Sequence, residues 1–392
     1  MMEQELGRVF LTTPVPDELD AQRRAWTVVR VAYGEREPVR ARRRGLRPIL
    51  ALAVLAALAA AALSPAGQAV GDWIRDSVQG EEPPQPALSG LPAPGSLLVA
   101  AEEGIWVVRQ DGSKRRLGDY GDASWSPTGL YVIATGGHRL VALEAANGEV
   151  RWSLSRAATV ADARWSGGGL DTRVAYRSGN SLRVVAGDGA PDRLVARRVE
   201  PVAPAWKPGS EHVLGYVDAG GGLNIVNVDT GAGTLLTHGL ETARALVWSP
   251  DGRLLLVVTK GRRHPILNGR GKIVRTIELP KGHVLVDAAF APRGRALAYT
   301  DFDRSRDRGT VILDDGERRR TLQSGEGMFE DVVWSPDAHW LLVGWPVADQ
   351  WLFLETPGVT KIKAVEDIRR EFAPGGEGGG AFPRLAGWCC VP

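Results

Sequence analysis

Beyond residue 95 the chain alternates short apolar runs with compact polar turns, and one stretch shows the unit clearly. Ala245 to Trp248 reads as a short strand, and Ser249-Pro250-Asp251-Gly252 as a turn with Pro and Gly where turn geometry favours them. Leu254-Leu255-Leu256-Val257-Val258-Thr259 is continuously apolar, the pattern of a strand covered on both faces. Pro265 to Asn268 makes a third strand, Gly269-Arg270-Gly271 turns it, and Ile273 to Leu279 alternates like a half-exposed outer strand. Such a sheet cannot cover both of its faces alone. Packed between two like neighbours in a ring it can, with a large aromatic side chain filling the wedge between units.

The unit recurs. Aromatic anchors end the first strand at Trp125, Trp165, Trp206, Trp248, Phe290, Trp334 and Trp388, at spacings of 40, 41, 42, 42, 44 and 54 residues. A period of about 40–45 residues with four strands per unit is the signature of a β-propeller. Ser96 to Leu117 supplies strands with no anchor before them, and Phe382 to Cys390 supplies a first strand with none after it. The two ends are therefore expected to complete one blade between them. The predicted fold is all-β, a seven-bladed propeller over residues 96–390, with six or eight blades as the alternatives. The long last spacing is accounted for by the glycine-rich insertion Gly375 to Gly380.

The first 95 residues follow a different pattern. No charged residue occurs from Pro48 to Gly71, and Ile49 to Leu63 is almost entirely Ala, Leu and Val. Residues 48–70 therefore predict a single transmembrane helix acting as an uncleaved signal anchor. Arg36, Arg40, Arg42, Arg43, Arg44 and Arg47 precede the span, and Asp72 and Asp76 follow it. The positive-inside rule puts residues 1–47 in the cytoplasm and the propeller outside. A cleaved signal peptide is the rival reading, but its basic region would be far too long. Residues 71–95 read as a linker, Pro-rich and semi-extended from residue 80 on. In the tail, Pro16-Asp17-Glu18 opens a helix predicted over about 17–33, with Leu19, Trp26, Val29 and Tyr33 on one face. That face would dock on a cytoplasmic partner protein or, with Arg23, Arg24 and Arg30, on anionic lipid.

Charge changes the picture little. The net charge is +2, and residues 1–47 hold ten Arg against seven Asp or Glu, which leaves the rest of the chain at −1. Nucleic acid is not an expected partner. The sequence lacks a G-x-S-x-G elbow, an H-E-x-x-H helix, a P-loop and a Cys/His cluster, so no catalytic residue, metal or cofactor is expected. The six histidines read as solvated loop residues, and Arg304, Arg306, Arg308 and Arg318-Arg319-Arg320, interleaved with Asp301, Asp303, Asp307, Asp314 and Asp315, as solvated charge. Cys389 and Cys390 are the chain's two cysteines. They read as small apolar residues ending a strand, with an intermolecular disulfide or a reactive thiol as alternatives, since a bond between neighbours is strained. Asp122, Asp162, Asp287 and Asp331 each stand three residues before an anchor. On channel-lining strands they would form either a ring of carboxylates attracting a cation or a basic peptide, or structural aspartates bonded to the next blade.

The W-S-P-D-G turn followed by an apolar strand resembles the TolB-like, WD-like propeller repeats of bacterial envelope proteins. With Gly344-Trp345-Pro346, Asp349 to Phe353 and Gly387-Trp388-Cys389-Cys390, the layout looks like that of a group of bacterial membrane propellers. That resemblance implies a platform for a protein or cell-envelope ligand rather than an enzyme. Val141 to Trp152 is similar to the repeat of quinoprotein dehydrogenases, but it occurs once, and Trp152 reads as a blade-packing residue. The layout of tail, span and outer domain is also similar to that of single-pass anti-sigma regulators, without zinc-ligand Cys or His in the tail. The expected function is therefore a membrane-anchored extracytoplasmic binding, scaffold or sensing propeller of a bacterium. The alternatives are a transmembrane regulator relaying propeller occupancy and a quinone-dependent or hydrolytic enzyme.

Overall fold

The computed structural model describes residues 88–167, 171–210, 212–356, 358, 361–373 and 380–390. All described residues belong to one compact unit, Pro84–Pro392. The expected tail helix, the membrane span and all of the glycine-rich insertion but Gly380 lie outside the described residues. Among those described, no helix is long and apolar enough to cross a membrane.

Among the described residues, twenty-eight strands form seven four-stranded antiparallel sheets, each a blade. The first strands of neighbouring blades touch one another all the way round, which places them at the centre of a closed ring. They run Arg384–Cys389 in blade 1, then Asp122–Trp125, Val160–Trp165, Ala205–Trp206, Ala243–Trp248, His283–Phe290 and Glu330–Trp334 in blades 2 to 7. In blade 1 the C-terminal strand Arg384–Cys389 pairs with Ser96–Ala101, so the two ends of the propeller share one sheet. Residues 88–94 are packed rather than extended: Leu88, Leu91 and Ala93 are buried at the seam between blades 7 and 1, together with Phe353 and Trp388.

The continuously apolar runs follow from this packing. In Leu254–Thr259, Leu255 and Val257 face blade 4, while Leu256 and Val258 face blade 6. Each seam has its own apolar cluster, seven in all. Burial on two faces, at about 25 cal/mol per Å² of apolar surface, is the main force holding blades together.

The anchors add direction to these seams. Trp206, Trp248 and Trp334 donate their indole N–H to Arg164 O, Ala205 O and Ala289 O at 2.8, 3.2 and 3.0 Å. Each acceptor immediately precedes the anchor of the blade before. Trp388 donates instead to Pro94 O at 3.1 Å. Trp125 and Trp165 have buried indole N–H groups without a partner among the described residues. The serine after the anchor holds the turn. Ser126, Ser166, Ser249 and Ser335 Oγ accept the N–H of Tyr131, Arg173, Leu254 and Trp340 at 3.0, 2.8, 2.9 and 2.9 Å.

One part of the presumed solvated charge belongs to the seams. Asp314 is 1% exposed and accepts from Arg275 of blade 5 at 2.6 Å and from Arg319 at 3.1 Å. Its neighbours in sequence gave no sign of this, because the bridge depends on an arginine of another blade.

Two substitutions test these seams by urea denaturation. Trp334→Phe keeps the ring but removes the bond to Ala289, and is expected to cost about 1–2 kcal/mol, against about 3–5 kcal/mol for Trp334→Ala. Asp314→Asn, which leaves two arginines without their carboxylate, is expected to cost roughly 2–3 kcal/mol. Equal midpoints for parent and variants would contradict the seam account.

Candidate functional site

Two regions concentrate polar and aromatic side chains: the wall of the channel, and the face carrying the turns that follow the innermost strands. On the wall, Asp162, Asp287 and Asp331 lie at β-bulges, where the ladder register shifts. Asp162 and Asp331 have positive φ, 55° and 50°. A bulge bends its strand and re-aims a side chain away from the regular alternation.

The four aspartates are engaged in two ways. Asp287 Oδ2 accepts the backbone N–H of Val332 and Asp331 Oδ2 that of Leu385, both at 2.7 Å. Each thereby bonds the innermost strand of the next blade. Asp122 instead receives the Arg164 guanidinium of blade 3 at 3.0 Å, and Asp162 receives Arg177 of its own blade at 2.5 Å. Asp331 lies close enough to Asp287 to feel its charge. Burial, followed by the Asp287 charge, pushes Asp331 up to about 7, and burial likewise raises Asp287. Arg384 offsets part of both effects, and Arg244 part of that at Asp287. Among the described residues no group of three or more His, Cys, Asp or Glu side chains is arranged to hold a metal ion.

The turn face carries three consecutive clefts between blades. The first, between blades 1 and 2, is lined by Arg109, Trp125, Gly129, Leu130, Cys389 and Cys390, among others. The second, between blades 2 and 3, is lined by Tyr131, Arg151, Trp152, Trp165 and Asp188, with Tyr131 and Trp165 stacked at 6.3 Å between ring centroids. The third is the widest, about 940 Å³, and runs from blade 3 to blade 5 along Trp165, Trp206, Lys207, His212 and Trp248. Blade 4 has only a two-residue innermost strand, Ala205–Trp206, because Pro204 just before it has no N–H to give the ladder. The Lys207 ammonium stands 5.9 Å from the Trp248 ring centroid, within cation–π range. Trp152 donates its indole N–H to Gly187 O of blade 3 at 2.8 Å, a seam contact.

The anchors Trp125, Trp165, Trp206, Trp248, Phe290 and Trp334 end innermost strands, and Trp388 is next to last in its own. The tail residues Leu19, Trp26, Val29 and Tyr33 lie outside the described residues. Three histidines depart from the expectation of solvated loops. His212 is 9% exposed, bonded to the Asp229 carboxylate and to Asp171 O. His283 pairs with Asp301 at 2.9 Å. His264 is fully buried and accepts the Thr259 N–H, and burial lowers its pKa to about 4. Each is covered by a strand or turn distant in sequence or by its own hairpin, which residue type alone does not reveal. What the sequence reading missed is the shared face of Tyr131, Arg151, Lys207 and His212. The only signal available was that all four fall beside innermost-strand or outer-hairpin turns.

No protein-family profile matches the chain, and no curated protein matches it in sequence. Solved structures match in fold. Kluyveromyces lactis Hsv2 aligns at 13% identity and a TM-score of 0.52, over 69% of this chain and 94% of that one. Kluyvelomyces marxianus Hsv2 aligns at 13% identity and 0.50, over 66% and 87%. Kuenenia stuttgartiensis hydrazine synthase aligns at 13% identity and 0.47, over 60% and 76%. The two Hsv2 likenesses concern the propeller fold alone.

The Asp331 shift fixes a sign. Its folded pKa lies above the unfolded value, so the penalty is absent below about pH 4 and complete above about pH 7. Asp331→Asn keeps an oxygen for the Leu385 N–H and removes the charge. The variant is expected to match the parent near pH 4 and to exceed its stability at pH 8 by up to about 4 kcal/mol, less in so far as the side chain touches channel water. His264 titrates in both chains and cancels in the difference. A constant difference across this range, measured by urea denaturation, would contradict the assignment.

Proposed function

We propose that the protein is a non-enzymatic binding and scaffold propeller, held at the outer face of a bacterial cytoplasmic membrane, whose ligand lies across the turn face. The observation that carries this reading is the run of three adjoining clefts over blades 1 to 5, lined with aromatic side chains and with Arg109, Arg151 and Lys207. A row of shallow aromatic clefts edged with cations suits an extended chain, a peptide segment or an envelope polymer, better than a small compact substrate. The channel carboxylates are all engaged by arginines or backbone N–H groups, which favours a structural role for them over acid–base chemistry. The membrane setting rests on the uncharged stretch Pro48 to Gly71 and its arginine flank. The W-S-P-D-G repeat ties the chain to TolB-like envelope propellers by resemblance.

A second reading has its own support. The apolar face of Leu19, Trp26, Val29 and Tyr33 would have no partner within residues 1–47, so the tail would relay propeller occupancy to a cytoplasmic protein.

Crosslinked capture from membranes separates these readings. The full chain is compared with Arg151→Glu/Lys207→Glu on the turn face, with Lys281→Glu/Arg304→Glu on the opposite face, and with a chain lacking residues 1–35. The turn-face pair is expected to weaken capture of extracytoplasmic ligand at least about tenfold, with the other two unchanged. Equal capture by both charge-reversal pairs sinks the proposed surface. Loss of a cytoplasmic partner on truncation alone promotes the second reading.

A further inference from the structure

The two cysteines do not stand as separate apolar residues at a strand end; Cys389 and Cys390 are joined to each other by a disulfide. Their place in the repeat explains why they are available for chemistry. In four other blades the residue after the anchor is a serine whose Oγ holds the turn into the next strand. Blade 1 has no such turn, because its first strand comes from the C-terminus and its second from Ser96–Ala101. Cys389 occupies the serine position after Trp388 in a blade where the position has no turn to hold.

A structural staple is the ordinary role of a disulfide, and it does not fit here. Such a bond stabilises by closing a loop in the unfolded chain, about 3 kcal/mol for a loop of 15 residues. With a sequence separation of 1, this bond closes no such loop and ties no distant segments together. Both residues are half-buried and line the open cleft between blades 1 and 2, with Trp125, Leu130 and the charged Arg109 and Asp111. The surrounding backbone leaves room for them. A Cβ on Gly129 would fall 2.9 Å from Cys390 Cβ and 3.1 Å from its Sγ. On the other side, a Cβ on Gly95 would fall 2.6 Å from Cys389 O. Cys390 itself has φ 62°, a left-handed conformation unusual outside glycine.

We propose that Cys389 and Cys390 form a dithiol–disulfide couple that exchanges with a dithiol partner in the cleft between blades 1 and 2. A thiolate of the partner attacks one cysteine sulfur, breaking the Cys389–Cys390 bond and forming a mixed disulfide. The displaced cysteine leaves as a thiolate and takes a proton. The partner's second thiol, as thiolate, then attacks the partner's own sulfur in the mixed disulfide, and the remaining cysteine of the protein leaves as a thiolate and takes a proton. The partner ends as a disulfide, and the protein gains two electrons and two protons as two thiols. In reverse, the reduced pair accepts a disulfide from an oxidised partner. Access to the sulfur governs the rate of such exchange, and the open cleft supplies it. The inference does not depend on the binding role proposed above.

The full-length protein, first equilibrated with oxidised glutathione, is treated with reduced dithiothreitol and then alkylated, and its mass is read. No alkylation is expected before reduction and two additions after it. The native protein is expected to be reduced at a rate within about tenfold of the urea-unfolded chain. Two alkylated thiols after oxidation, a disulfide-linked dimer, or reduction only on unfolding would each overturn the proposal. Cys389→Ser/Cys390→Ser is expected to keep the urea midpoint of the oxidised parent. A marked fall in that midpoint would assign the bond to stability and also overturn it.

Discussion

Strands apolar on both faces leave a sheet with no side to turn toward water, and every other feature of this propeller answers to that constraint. A four-stranded blade must be covered by two neighbours, so blades can only be added until the first meets the last. The seven apolar clusters, one per seam, are that requirement met all the way round. Apolar burial alone has no direction. The bonds from Trp206, Trp248 and Trp334 to the preceding blade, and from Asp287 and Asp331 to the following one, give four of the seven seams a fixed register.

This arrangement separates polar groups engaged within the ring from those left open at its face. The channel wall holds carboxylates that look like ligands in the sequence, but their partners are protein donors, and the raised pKa of Asp331 follows from burial beside Asp287. The turn face has the opposite character. Its clefts are gaps left where blades diverge, widest beside Pro204, where the innermost strand is shortest. The aromatic side chains that line these gaps are mostly the seam anchors themselves, and Arg109, Arg151 and Lys207 add cations beside them.

The fold was legible because its signal is local and repeated. An aromatic anchor and an apolar run recur from unit to unit, with a Ser-Pro turn after Trp125, Trp248 and Trp334, and Leu254–Thr259 forms the strand its composition indicates. The site was far less legible, because its geometry is made between units. Nothing near Asp314 announces Arg275, nothing near His264 announces its burial, and nothing in Cys389-Cys390 shows that blade 1 lacks the turn the serine serves elsewhere. The aspartates illustrate both cases. Their position before the anchors could be read, yet whether each meets an arginine or a backbone N–H depends on the neighbouring blade.

Native-state hydrogen exchange tests the seam constraint most directly, read at the amides of Val332 and Leu385 and along Arg384–Cys389. If the seams hold the ring as described, these amides exchange only through global unfolding, as slowly as those of Leu254–Thr259. Exchange of Arg384–Cys389 at the rate of the exposed outer strands would show that the ring is not closed by its C-terminal strand, and would contradict the account.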